Sequence, residues 1–269
     1  MRIVRPRENR KNNTIAAVVA MAGCSLSLCF VSAASAAYPT SMGALGDSIT
    51  QAAMTCFSTT SCPQNSWATG TNSSVNSIAL RLRGINSKAT SANYAVSGAK
   101  VAGLSSQADS VIKLNPRLTT IMVGTNDACQ STSTSAFEVS FQGLIDKLRN
   151  GTPNSKLVVV SIPNLYSLYT TFKNNSSAKS SWNFLKLCAG MTSAPDEATR
   201  QATLAREIAM NQSMATICNA YANCIWDGNR VFNYTYKTTE IGTSDYFHPN
   251  VAGQAALAKL IWPLVPSTL

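Results

Sequence analysis

The 269-residue chain contains a single histidine, His248, and no C-x2-C pair. Metal sites are built from such residues in clusters, so a metal centre is set aside and neither metal nor organic cofactor is expected. Lysine and arginine form no cluster with interleaved aromatics, so no nucleic-acid partner is expected. From Tyr38 onward there is no internal repeat and no linker long enough to separate two domains. One domain of roughly 230 residues is therefore expected.

The first 37 residues differ from the rest. Arg2, Arg5, Arg7, Arg10 and Lys11 form a basic start, Ile15 to Ala37 carries no charge, and Ala34-Ser35-Ala36 has the small-x-small form that precedes signal cleavage. Residues 1–37 are read as a secretory signal peptide cleaved near residues 36–37, and 38–269 as the folded domain. The uncharged stretch is also long enough for a retained membrane anchor, but the small residues before Tyr38 favour cleavage. Removing the leader takes away five basic groups and one acid, so the formal charge falls from +10 to +6. A mildly basic exterior favours anionic surfaces, and transient contact with lipid surfaces is expected.

Six cysteines remain: Cys56, Cys62, Cys129, Cys188, Cys218 and Cys224. An even number in an exported chain reads as disulfides. The two C-x5-C pairs suggest local loops, which would leave Cys129 with Cys188, although the sequence alone does not choose among the pairings.

Short apolar runs alternate with helical patterns, which argues for an α/β fold with a mostly parallel sheet. Strands are expected at Met42–Leu45, Asn93–Val96, Leu118–Val123 and Leu157–Ile162. Val75, Ile78, Ala79 and Leu82 mark one face of a helix, with Gly84 as its stop. A capping box at Ser135–Glu138 opens a helix whose inward face is Phe137, Phe141, Leu144, Ile145 and Leu148. Tyr166 to Pro195 reads as loop-rich and as the source of substrate contacts. A long helix follows, carrying Met210, Met214, Ile217 and Tyr221 on one face. Pro249 stands at the first position of a last helix, docked by Leu257, Leu260 and Ile261 and ended by Pro263.

Any imidazole chemistry in this chain rests on His248. A lone histidine is more often a surface or capping residue, but Asp245 lies three residues upstream in "SDYFHPN". At that spacing a carboxylate can fold back onto the ring, fix its tautomer and stabilise the imidazolium. Ser48, in "GALGDSIT", follows the first strand, where unpaired backbone N–H groups stabilise negative charge. The G-x-S-x-G elbow is absent. After the third strand, "VGTNDAC" offers the Asn126 amide; after the second, "AVSGAKV" offers Gly98, whose N–H no side chain obstructs. Taken singly, Asn126 is a turn former and Gly98 a loop glycine. All of these residues fall at strand ends or just before the last helix, and together they supply a nucleophile, a base, an orienting acid and oxyanion donors.

With these blocks in order, the chain resembles the SGNH/GDSL hydrolases. "GDSIT", the glycine of "AVSGA", the asparagine of "GTND" and "DYFHPN" match the four blocks of that family over about residues 42 to 254. Ile49-Thr50 replaces the family's leucine, a conservative change. The resemblance implies a three-layer α/β/α flavodoxin-like fold with a parallel sheet of about five strands. It implies Ser48 as nucleophile, Asp245 and His248 as its triad partners, and the Ser48 N–H, Gly98 N–H and Asn126 side chain as oxyanion hole. "NSWATGTNSSVNS" and "GTNDAC" further resemble the phospholipase B-like branch. The implied activity is that of a monomeric secreted esterase or lipase acting on small-molecule or lipid esters. An esterase that removes acetyl groups from carbohydrate, or a binding protein on the same fold, are the competing expectations.

Overall fold

A computed structural model describes residues 1–2, 38–57 and 61–267. The leader expected at residues 1–37 lies almost wholly outside the described residues. Five strands form one sheet: β1 (Ser41–Gly46), β2 (Thr90–Asn93), β3 (Leu118–Met122), β4 (Lys156–Val160) and β5 (Cys224–Trp226). Their spatial order is β2-β1-β3-β4-β5, and every neighbouring pair is parallel. This is the flavodoxin-like doubly wound order, with its switch point between β1 and β3.

The pleat explains why the central strands read as continuous apolar runs. Successive side chains alternate between faces, and both faces are covered. Met42 and Ala44 of β1, Leu118 and Met122 of β3, and Val158 and Val160 of β4 join one core; Leu45, Ile121, Leu157 and Val159 join the other. The first core is closed by α1 (Ile78–Ile85), α5 (Leu165–Phe172), α6 (Ser176–Leu185) and α9 (Val251–Ile261). The second is closed by α2 (Ser105–Leu114), α3 (Thr125–Cys129), α4 (Thr134–Gly151), α7 (Ala189–Thr192) and α8 (Glu197–Asn219). The predicted inward face of α4, Phe137 to Leu148, is buried, as are Met210, Met214 and Ile217 of α8. Tyr221 lies beyond the end of α8 and only borders that core.

Several local expectations are corrected. Gly84 does not stop α1: a glycine costs about 1 kcal/mol inside a helix without ending it, and the helix closes at Asn86, whose N–H donates to the Leu82 carbonyl. Val75 is buried but precedes α1, which is capped by the Ser77 hydroxyl. The second strand lies three residues earlier than expected, because it is an edge strand with half-buried residues and no apolar run. Its main-chain bonds to β1 continue beyond it, from Tyr94 N to Ala44 O and from Val96 N to Gly46 O. In the serine/threonine run before α4, Ser133 rather than Ser135 caps the helix, accepting the Ala136 N–H at 3.2 Å. Tyr166 to Pro195 is helical, not loop-rich. It holds most of α5, then α6 and α7, with Asn164 and Asn175 capping the first two. Asn250, not Pro249, opens α9: its Oδ1 accepts the Ala252 and Gly253 N–H groups.

Three disulfides join Cys56 to Cys62, Cys129 to Cys188 and Cys218 to Cys224. The bridge across 59 residues ties α3 to the α6–α7 turn. No helix among the described residues is long and apolar enough to cross a membrane.

Candidate active site

The C-terminal ends of β1, β2 and β3 deliver three of the candidate residues to one edge of the sheet. Ser48 stands two residues past β1 in a tight run of turns, with Gln51 N donating to Asp47 O at 3.0 Å and Ala53 N to Ser48 O at 2.9 Å. Buried amides grip this turn from both sides of the sheet. Gln107 of α2 exchanges two hydrogen bonds of 3.0 Å with the Gly46 main chain. Gln254 of α9 donates to Ile49 O and accepts Trp67 N, both at 2.9 Å. Asn93, at the end of β2, donates to Thr50 O at 2.9 Å. Buried polar groups with satisfied partners fix a backbone more sharply than apolar contact does.

The fourth block reaches the same edge from the far end of the chain. An antiparallel bridge between Ile241 and Pro249, together with a bond from Gly242 N to His248 O, closes the loop before α9. Within it Tyr246 takes a left-handed conformation (φ +54), its N–H donating to Gly242 O and its carbonyl accepting the indole N–H of the buried Trp182 at 3.2 Å. Asp245 is 1% exposed and its Oδ1 accepts the N–H groups of Phe247 and His248. Its Oδ2 lies 2.5 Å from His248 Nδ1, and His248 Nε2 lies 2.8 Å from Ser48 Oγ, across 200 residues of sequence.

Burial alone would raise the Asp245 carboxyl. The hydrogen bond and charge of His248, aided by the two main-chain N–H groups, outweigh it and hold the group below the usual carboxylate range. Asp245 is thus an ionised acceptor, which keeps the imidazole proton on Nδ1 and leaves Nε2 a lone pair directed at the serine hydroxyl. Such an arrangement can remove a proton from Ser48 and return it to a leaving group.

Ser48, Gly98, Asn126, Asp245 and His248 line one cavity of about 460 Å³. Gly98 has φ +80, a conformation that disfavours any side chain. Asn126 sits in the first turn of α3, where it donates one Nδ2 hydrogen to Ala99 O at 3.0 Å. That bond fixes the amide plane and leaves the second hydrogen for a ligand. Leu185 and Leu187, at and just past the end of α6, line the same cavity together with Lys186, Gln130, Cys129 and Cys188. Among the described residues no group of three or more His, Cys, Asp or Glu side chains could hold a metal ion.

Asp47 and Asp127 also matter, though neither was singled out for a role. Both are fully buried. Asp47 Oδ1 accepts Ile49 N and Asp127 Oδ2 accepts Val101 N, each at 3.0 Å, and the other oxygen of each has no hydrogen-bond partner. Burial pushes Asp47 up to about 6; the Ile49 N–H and the charge of His248 oppose this, and Asp127 adds to it. Because the folded value lies above the usual 3.8, the folded state holds this proton more tightly, so stability is lost as pH rises from about 4 through 6. Asp47→Asn keeps the acceptor for Ile49 and removes the charge. Its unfolding free energy relative to the parent is expected to climb across that window, reaching a gain of about 3 kcal/mol above it. A difference independent of pH contradicts the assignment.

A family model described as the GDSL-like Lipase/Acylhydrolase family matches residues 44–256, and the chain belongs to that family. The family places it among enzymes that hydrolyse carboxylic esters. Among curated proteins none matches significantly. Solved structures share the fold. LAE5, an alpha/beta hydrolase from the metagenome of Lake Arreo, Spain, is 16% identical, with a TM-score of 0.55 over 85% of this chain and 96% of its own. A catalytic mutant of Axe2, an acetylxylan esterase from Geobacillus stearothermophilus, is 14% identical, with a TM-score of 0.52 over 85% and 96%. The esterase EstA from Pseudoalteromonas is 13% identical, with a TM-score of 0.51 over 84% and 96%. At these identities the likeness is one of fold.

Proposed function

We propose that the chain is an exported serine esterase or lipase in which Ser48 is the nucleophile, His248 the general base and Asp245 its orienting acid. The observation that carries this reading is the unbroken path of Asp245, His248 and Ser48, with contacts of 2.5 and 2.8 Å. His248 Nε2 takes the hydroxyl proton as Ser48 Oγ attacks the ester carbonyl. The resulting oxyanion is held by the Ser48 and Gly98 N–H groups and the Asn126 amide. Collapse breaks the bond to the alcohol, which leaves with the proton from His248. Water, deprotonated by the same nitrogen, then frees the acid from the acyl-enzyme. The three disulfides support an oxidising, extracytoplasmic setting, in line with a cleaved leader.

A cavity of about 460 Å³ whose lining includes Leu185 and Leu187 has room for an acyl chain well beyond acetyl. This favours a lipase-like or long-chain esterase over a deacetylase. The deacetylase reading draws its support from the printed substrate of Axe2. A panel of nitrophenyl esters from acetyl to dodecanoyl, run beside phospholipid and acetylated xylan, separates the two. Maximal kcat/KM at medium or long chains is expected, and a maximum at acetyl with turnover of the polymer overturns the preference.

Asn126→Ala is expected to lower kcat by about 10²- to 10³-fold, the usual loss for one oxyanion donor. KM should change little, because the donor acts on charge that develops only in the transition state. A rise in KM at constant kcat would instead make Asn126 a ground-state contact.

A further inference from the structure

The alcohol of the ester must leave past His248, which protonates it, so the alcohol lies on the imidazole side of Ser48 and the acyl chain on the other. Met54 lines the catalytic cavity and also a second groove of about 560 Å³. That groove is built on the loop that carries the base: Gly242, whose N–H donates to His248 O at 2.9 Å, lines it together with Thr243 and Ser244, the two residues before Asp245.

The chemistry of this groove differs from that of the cavity beside it. None of its lining side chains is charged. The amide of Asn250 is spent within the fold, its oxygen on the start of α9 and its nitrogen on Thr239 O and Ile241 O. The Thr55 hydroxyl is likewise committed to Ala52 O and the Asn65 amide. The exposed hydroxyls of Ser74, on one side, and of Thr243 and Ser244, on the other, are what the groove presents to a ligand. Hydroxyls without a cation suit a neutral group that both donates and accepts hydrogen bonds, and offer nothing to neutralise a phosphate.

We infer that the groove beyond Met54 is the alcohol subsite and that it takes a neutral polyol, glycerol or a sugar, held by Ser74, Thr243 and Ser244. The inference rests on the hydrolase reading above and adds the leaving-group half of the substrate to it.

Three esters of one acid test it: 4-nitrophenyl octanoate, 1-octanoylglycerol and 6-octanoylglucose. Thr243→Trp and, on the opposite wall, Ser74→Trp fill the groove. In each variant the ratio of kcat/KM for a polyol ester to kcat/KM for the nitrophenyl ester is expected to fall at least about tenfold, the scale of one or two lost polar contacts. The ratio does not depend on the fraction of folded enzyme, so partial misfolding leaves the outcome readable. A fall for both polyol esters supports a general polyol site, and a fall for one alone supports the inference with that alcohol as the occupant. Ratios within twofold of the parent in both variants overturn it. Parent enzyme that cleaves the nitrophenyl ester and neither polyol ester also overturns it, with the hydrolase reading intact. Failure to cleave any of the three removes that reading, and the subsite with it.

Discussion

Ser48→Ala is expected to reduce kcat on the order of 10⁶-fold, about 8 kcal/mol of transition-state stabilisation. The size follows from what is removed. Alanine keeps the backbone N–H, the turn and the cavity, so ester still binds and one oxyanion donor survives, but no acyl-enzyme can form. The residual rate is that of water attacking an ester held in a polarising site. Ser48 is only half-buried and its hydroxyl bonds to His248 alone among the described contacts. The melting temperature should therefore stay near that of the parent. A loss below about 10²-fold, smaller than that of a single oxyanion donor, would assign the chemistry to another nucleophile.

Asp245→Asn is the second large effect, about 10⁴-fold in kcat. Oδ1 of this residue accepts two main-chain N–H groups, from Phe247 and His248. An asparagine must keep its oxygen there, since its amino group would otherwise face two donors. The amino group is then forced to the position of Oδ2, against His248 Nδ1. The ring must accept at Nδ1 and carry its proton on Nε2, pointing it at a hydroxyl it can no longer deprotonate. The loop survives and the base is lost, so kcat falls while KM moves little. A loss of less than about tenfold would mean that Asp245 shapes the loop and leaves the tautomer to other groups.

The strands of the sheet interior were legible because burial on both faces leaves a continuous apolar run, as in Leu157 to Val160. The four blocks were legible for a related reason: an open α/β sheet gathers its strand ends at one edge, so residues after β1, β2 and β3 must meet. The edge strand β2 carried no such run, and its extent is set by pairing with β1. Short helices such as α6 bury only Ala178 and Trp182, too few positions to make a period. The buttresses of the turn that carries Ser48 left a faint trace. Gln107 stands four residues before Val111, and Gln254 four before Ala258, each a polar residue on an apolar stripe. Which main-chain atoms they grip depends on tertiary packing. The burial of Asp47 was likewise invisible, since an acid between glycine and serine reads as a turn former. The cavity wall at Leu185 to Cys188 depends on the placement of α6 and α7, which no local pattern specifies.

The central claim is that the Ser48 hydroxyl is made nucleophilic by the imidazole 2.8 Å away. Reaction of the protein with a fluorophosphonate ester, followed by peptide mapping, reads this directly. One phosphonate per chain on Ser48 is predicted, with loss of esterase activity in step with labelling and no labelling in His248→Ala. Label on a different residue, or full activity in a protein fully labelled at Ser48, would contradict it.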